Sequence, residues 1–127
     1  LQNAYDYLLK SLPLGYTKED IRVCHADITN DNMLLSDEGD LFIVDWDTAV
    51  LADYLFDIGQ LLARYIEKKD WEKWARKNNF QFTENEKHRI LWYAIIHLLL
   101  DIKQAHNKAR YNKMNELILK INEWLKD

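Results

Sequence analysis

The chain has 127 residues and a formal net charge of -4, with 21 acidic against 17 basic side chains. This length is enough for one domain with a hydrophobic core, and a single cysteine excludes an internal disulfide framework. The sequence contains no signal-peptide pattern and no apolar run of about 18 residues, and it has no basic block. We therefore expect a cytoplasmic protein whose main partner is neither nucleic acid nor a membrane.

The N-terminal third predicts one short helix followed by three short strands. The helix would end at Pro13 and Gly15. Its apolar residues recur at helical spacing: Tyr5, Leu8, Leu9 and Leu12. The strands are predicted at 21–24, 33–35 and 41–44, and Gly39 can supply the positive φ of a hairpin turn between the last two.

From Asp53 onward the pattern is helical. Asp70 is a candidate cap for a segment that carries Trp71 and Trp74, and the sequence TENE at 83–86 is a capping box that opens a long buried helix. A last amphipathic helix follows. We expect a single domain over 1–127 that is mainly α with a small β-hairpin region (α+β), with the hairpin region at 21–47 and the helical subdomain at 53–127.

The region 23–47 concentrates aspartate, asparagine and histidine. His25, Asp27 and Asn32 give the pattern H-x-D-x-x-x-x-N of a kinase catalytic loop, and Asp45 follows Asn32 by thirteen residues. Phosphoryl transfer needs one carboxylate to deprotonate the attacking hydroxyl, and an amide oxygen and a second carboxylate to hold Mg²⁺. The competing interpretation is a cluster of aspartate and asparagine residues selected for turn formation.

The segments CHADITNDNMLL, LFIVDWD and ADYLFDIGQLL resemble the aminoglycoside phosphotransferase and choline kinase superfamily of small-molecule kinases. The resemblance is specific over residues 21–66 and implies a protein-kinase-like C-terminal lobe that uses ATP and Mg²⁺. It implies that Asp27 is the catalytic base and that Asn32 and Asp45 bind the metal and nucleotide. It also implies that His25 braces the loop and that Asp57 accepts hydrogen bonds from it.

Two further positions are assigned to the vicinity of the substrate or metal. Asp47 could add a carboxylate there, and Trp92 could contribute to an aromatic cage for a cationic acceptor of the kind that choline-kinase-like families bind. Core packing is the competing interpretation for Trp92. The acceptor is expected to be a small hydroxyl compound, choline-, thiamine- or aminoglycoside-like.

The sequence also departs from the family pattern. Ala26 stands where the family usually has glycine, and we expect a negative φ there. With only three glycines, the chain has no Gly-rich phosphate loop, and it has no strand lysine to pair with the nucleotide. We therefore expect a C-lobe that lacks its N-terminal kinase lobe, active in the full-length parent but silent alone, and able to form a homodimer through an exposed apolar face. The alternative is a non-catalytic kinase-like binding module or a degenerate pseudokinase lobe.

Two residues outside the motif are predicted to be buried in the core rather than to take part in chemistry. Cys24 is expected to be a small buried hydrophobe rather than a nucleophile. His97, four residues before Asp101 in the long helix, is expected to be a core histidine with a local partner, and a substrate role is the alternative.

Overall fold

The computed structural model describes residues 1–11 and 15–126. Its helices are α1 (Gln2–Lys10), α2 (Leu55–Tyr65), α3 (Trp71–Lys77), α4 (Glu84–Asn107) and α5 (Tyr111–Trp124). Its strands are β1 (Ile21–Cys24), β2 (Met33–Leu35), β3 (Leu41–Ile43) and β4 (Val50–Asp53). Helices hold most of the described chain, which confirms the expected mainly α architecture with a small β region.

Strands β2 and β3 form the predicted hairpin. They pair in antiparallel fashion with Met33 opposite Ile43 and Leu35 opposite Leu41. Gly39 has a φ of 90°, as the turn was expected to require, and its N–H donates to the Ser36 carbonyl at 3.0 Å. The hairpin returns the chain to a point beside its start.

The second strand pair joins β1 to β4, and β4 was not predicted. Ile21 lies opposite Asp53 and Cys24 opposite Val50. The helical pattern was expected from Asp53 onward, and α2 begins at Leu55, because Asp53 is the last residue of β4 and its carboxylate accepts a hydrogen bond from Leu55 N at 3.1 Å. The pairing closes the whole segment between β1 and β4 into one loop that contains the hairpin.

Asp53 also fixes this sheet to the long helix. Its Oδ2 lies 2.9 Å from Arg89 Nε and accepts a hydrogen bond from the Tyr93 hydroxyl at 3.0 Å. Asp53 and Arg89 are both buried, so the ion pair compensates two charges removed from water. Helix α4 thereby sets the position of β4.

The helical core is centred on α4. The capping box is confirmed, since Thr83 Oγ1 accepts from Glu86 N at 3.1 Å while Glu86 Oε1 accepts from Thr83 N at 2.9 Å. The larger core cluster draws residues from α1, α2, α4 and α5: Ala4, Ala63, Ala94, Ile95, Leu98, Ile102, Leu117 and Ile121. Leu12 and the predicted stop residue Pro13 lie outside the described residues, and α1 ends at Lys10.

Helices α2 and α4 approach closely at Gly59. A Cβ atom placed there would lie 2.9 Å from the Tyr93 Cβ and 3.1 Å from the Ile90 carbonyl oxygen. Glycine therefore permits the contact between the helix that carries Asp57 and the central helix. In the parts of the chain that the structure describes, no helix is both long enough and apolar enough to cross a membrane.

We predict that Gly59→Ala lowers the free energy of unfolding by about 1–3 kcal/mol, because overpacking against backbone outweighs the gain in helix propensity. Urea denaturation followed by circular dichroism measures this. Gly15→Ala is the control, since a Cβ at Gly15 would meet no atom within 4 Å. Equal stability of the two variants would contradict the close approach.

Candidate active site

The loop after β1 is held by one carboxylate from α2. Asp57 Oδ2 accepts a hydrogen bond from His25 N at 2.7 Å, and Asp57 Oδ1 accepts one from Ala26 N at 2.9 Å. Ala26 has a φ of 70°, so the expectation of a negative φ at this position was wrong. The left-handed conformation turns the backbone so that both consecutive N–H groups reach one carboxylate.

His25 connects the same loop to the far end of the hairpin. Its ring is buried, and Nδ1 accepts a hydrogen bond from Asp27 N at 3.2 Å. Because Nδ1 accepts, Nε2 carries the proton and donates to the Val44 carbonyl at 2.8 Å. The Trp46 ring packs edge-on against the imidazole at a centroid distance of 4.7 Å. This arrangement is the one that the predicted bracing role of His25 requires.

Asp27 and Asn32 are in direct contact. Asn32 Nδ2 donates to the Asp27 carbonyl at 2.9 Å and to Asp27 Oδ2 at 3.2 Å. The Asn32 side chain is buried, and its Oδ1 accepts no hydrogen bond within residues 1–11 and 15–126. The amide is therefore oriented by Asp27 with its oxygen still available as a ligand.

A backbone hydrogen bond places the residue before Asp45 beside Asn32. Val44 N donates to the Asn32 carbonyl at 2.8 Å, which places the start of the DWD segment beside Asn32. Asp45 has a φ of 59° and is exposed, and within the described chain its carboxylate makes no hydrogen bond. The structure thus brings His25, Asp27, Asn32 and Asp45 into one region.

The second half of the loop rests on α2 through residues that the sequence analysis missed. Ile28 N donates to Gln60 Oε1 at 2.8 Å, and Arg64 Nη1 donates to the Ile28 carbonyl at 3.0 Å. Asn30 N donates to the Tyr65 hydroxyl at 2.8 Å. The available signal was the helical spacing of Asp57, Gln60 and Arg64, which puts three polar groups on one face of α2.

Arg64 is itself held by Asp101 from α4. Two hydrogen bonds, of 3.1 Å from Nε and 2.8 Å from Nη2, make a bidentate pair. Burial by itself would lower the pKa of Arg64, but the hydrogen bond and charge of Asp101 raise it overall. Asp101 therefore pairs with Arg64 and not with His97. The expectation that His97 has a local partner in Asp101 was wrong.

The remaining predicted positions lie outside this network. Asp47 is exposed, two residues after Asp45. Trp92 Nε1 donates to the Leu8 carbonyl at 3.0 Å, and its ring meets the Tyr93 ring edge-on at 5.9 Å. Trp92 thus joins α4 to α1.

Cys24 is buried at the end of β1 and its thiol faces the carbonyls of Ala52 and Asp53. Burial, together with the carboxylates of Asp57 and Asp53, raises the pKa of the Cys24 thiol to about 11. A neutral thiol is a poor nucleophile, so the structural interpretation of Cys24 is confirmed.

The donor set limits what this region can bind. Across the described residues, no group of three or more histidine, cysteine, aspartate or glutamate side chains could hold a metal ion. One amide oxygen from Asn32 and the carboxylate of Asp45 are hard ligands of the kind that Mg²⁺ prefers. They fit a magnesium ion that takes its other ligands from water and phosphate.

Comparison with known proteins agrees with this geometry. The model of a phosphotransferase enzyme family matches residues 1–93, which include the loop, the hairpin, α2 and the first part of α4. The chain belongs to this family of aminoglycoside phosphotransferase and choline kinase-like proteins, as the resemblance indicated.

Two curated relatives, both named Protein LicA, match a shorter part of the chain. The protein from Haemophilus influenzae strain Rd is 45% identical over 42 residues, which are 33% of this chain and 15% of the relative. A second Haemophilus influenzae protein is also 45% identical over 42 residues, with 12% of its length covered. The match therefore spans only a small part of the length of these relatives.

His97 lies in the core below α2, where its ring packs edge-on against Phe56 at 4.5 Å. Its Nε2 is buried and has no hydrogen-bond partner among the described residues. Burial, and then the positive charge of Arg64, lowers the pKa of His97 to about 4. His97 is therefore neutral in the folded chain at pH 7.

This pKa predicts a pH dependence of stability. In the unfolded chain the pKa of His97 is 6.5, whereas in the folded chain it is about 4. The contribution of His97 to the free energy of unfolding is therefore fully present above pH 6.5 and is lost as the pH falls from 6.5 to 4. Between pH 7 and pH 5 we expect His97 to account for a loss of about 2 kcal/mol. In urea denaturation at pH 7 and pH 5, His97→Gln should not show this loss of stability.

The control for that measurement is His106→Gln, because His106 is exposed on the same helix. It should keep the pH dependence of the original protein. If His97→Gln lost as much stability on acidification as His106→Gln, the neutral buried state of His97 would be refuted.

Proposed function

We propose that this chain is the catalytic lobe of a kinase that transfers a phosphoryl group from ATP to a hydroxyl of a small molecule, with Mg²⁺ as cofactor. The observation that carries the proposal is the double contact of Asn32 Nδ2 with the backbone and side chain of Asp27. It fixes a carboxylate next to an amide whose oxygen remains free, which is the pairing that phosphoryl transfer requires.

Each residue then has a defined role. Asp27 accepts the proton of the acceptor hydroxyl, and Asn32 keeps the Asp27 carboxylate oriented while its own Oδ1 binds the metal. Asp45 provides the second metal ligand. When bound, Mg²⁺ neutralises negative charge on the nucleotide phosphates. Asp57 and His25 act indirectly, because they hold the loop through its backbone.

The apolar surface around the metal ligands supports a two-lobed parent. Strands β2 and β3 leave large side chains in solvent directly beyond Asn32 and before Asp45: Leu34, Leu35, Leu41 and Phe42. Contiguous exposed apolar side chains commonly mark a contact surface. We propose that a nucleotide-binding lobe covers them and supplies the phosphate loop and lysine that these 127 residues lack.

The acceptor is proposed to be small, in keeping with the family. Trp92, the residue considered for a cationic cage, bonds to α1, and two other tryptophans pack elsewhere, Trp71 on Trp124 and Trp74 on Phe80. The choice among choline-, thiamine- and aminoglycoside-like acceptors therefore does not rest on these rings.

The role of Asp27 is tested in a protein that includes the nucleotide-binding lobe. Asp27→Asn should reduce turnover by roughly 10² or more with nucleotide affinity largely unchanged, because only the proton acceptor is lost. Asp31→Asn is the matched control, as Asp31 is exposed in the same loop and should retain activity. Full turnover by Asp27→Asn would exclude Asp27 as the base.

For the 127-residue chain alone we expect catalytic silence. With Mg²⁺ present, its affinity for ATP should be no tighter than about millimolar, or roughly 4 kcal/mol, because the carboxylates of Asp27, Asp45 and Asp47 repel the triphosphate. Isothermal titration calorimetry measures this. Micromolar binding would show that the chain carries a complete nucleotide site and would contradict the two-lobe proposal.

A further inference from the structure

A cavity of about 570 Å³ lies between α2, α3 and the first half of α4. Its volume is within the range of about 300–1,000 Å³ that small-molecule sites occupy. The walls are apolar and aromatic, and they include Trp71, Phe80 and Phe82 together with Leu62 and Ile90. The cavity therefore has the size and lining of a small-molecule site.

This cavity is separate from the candidate active site. Asp57, Gln60 and Arg64 share the face of α2 that holds the catalytic loop. At 100° per residue, Leu62 projects from roughly the opposite face, and Leu62 lines the cavity. A molecule bound there is separated from Asp27 by α2 itself, so the cavity cannot present a hydroxyl to the base.

The charge at the cavity rim is predominantly positive. One carboxylate, that of Glu72, lines the cavity together with four cationic side chains: Lys68, Lys69, Arg76 and Lys87. Lys87 lies 3.5 Å from Glu72 and 3.3 Å from Glu84, so its charge is compensated. An anion would be attracted to the rim, whereas a quaternary ammonium compound would be repelled.

Two of these cations have no acidic partner. Lys69 pairs with Glu67 at 3.3 Å, but Lys68 and Arg76 form no ion pair with any residue in the described ranges 1–11 and 15–126. Lys68 and Lys69 lie between the end of α2 at Tyr65 and the start of α3 at Trp71. Within the described ranges, no acidic side chain compensates the charges of Lys68 and Arg76 at this rim.

Two aromatic rings of the cavity wall, Phe80 and Phe82, belong to a stacked row. The Phe80 ring stacks on Trp74 at 5.7 Å with an interplanar angle of 17°, and Phe82 stacks on Phe80 at 5.0 Å with an angle of 14°. Phe80 and Phe82 line the cavity, whereas Trp74 does not. Aromatic rings in a cavity wall can pack against the planar body of a ligand. The cavity thus combines an aromatic wall with uncompensated positive charge.

We propose that this cavity is a second ligand site, which binds a small organic anion with a planar apolar body. The body packs among Trp71, Phe80 and Phe82, and the anionic group lies at the rim near Arg76 and Lys68. Because α2 also carries the catalytic loop on its other face, a ligand here contacts the support of the active site without entering it.

The test uses the 127-residue chain and a fluorescent planar anion, anilinonaphthalene sulfonate, beside the uncharged N-phenylnaphthylamine. Arg76→Glu should weaken sulfonate binding by at least about fivefold, because a negative charge then replaces the positive charge that faces the anion. It should change the affinity for the uncharged compound by less than about twofold. Fluorescence titration at fixed ionic strength gives both constants.

The matched control is Lys77→Glu, which makes the same charge change on the neighbouring exposed residue of α3, outside the cavity lining. Its sulfonate affinity should stay within about twofold of the original, since Lys77 does not line the cavity and exposed charges are screened by salt. Arg76→Lys should retain most of the affinity. Equal weakening by Arg76→Glu and Lys77→Glu, no weakening by Arg76→Glu, or no sulfonate binding at all would each overturn the proposal.

Discussion

The candidate site depends on the contact between the Asp57 carboxylate and the two consecutive backbone N–H groups of His25 and Ala26. A left-handed conformation at Ala26 costs about 1–2 kcal/mol. Hydrogen bonds to a charged group contribute about 1.5–3 kcal/mol each, so the two bonds to Asp57 more than offset this cost. The strained backbone is therefore sustained by α2, and the direction in which the chain enters Asp27 follows from it.

A second set of contacts determines where Asn32 and Asp45 lie relative to Asp27. His25 donates from its ring to Val44 and accepts from Asp27, so one imidazole joins the loop to the end of the hairpin. The backbone bond from Val44 to Asn32 closes the same connection from the other side. Each link uses a buried group, so the end of the hairpin and Asp27 are held together by hydrogen bonds that are shielded from water.

The sequence predicted the helices and the hairpin because their signals are local. The capping box at Thr83 and the positive φ of Gly39 each depend on residues within a few positions. Strand β4 could not be recognised in the same way, since its residues Val50 and Leu51 are exposed and its pairing depends on β1, far away in the chain. The conformation of Ala26 was missed for a related reason, because only the distant Asp57 makes it favourable.

The motif residues could be predicted from spacing, and the family resemblance pointed to Asp57, but Gln60 and Arg64 could not be predicted as supports of the loop. Helix α2 was identified by its apolar stripe, and such a stripe carries no information on what the polar residues of the other face bind. The function of such a polar face can be inferred only when the loop that it binds is known. A three-residue polar face on an otherwise apolar helix, placed after a catalytic-loop motif, is thus a signal that a sequence analysis can use.

Helix α2 separates two environments that require opposite chemistry. One face offers a carboxylate, an amide and a guanidinium to the backbone of the catalytic loop, while Gly59 and Leu62 on the other side meet apolar neighbours. The helix is kept in place by the close approach at Gly59 and by the bond between Arg64 and Asp101, both of which reach α4. The position of the loop that carries Asp27 is consequently set by the packing of two helices, which explains why a candidate site made of short strands and loops lies on a mainly helical body.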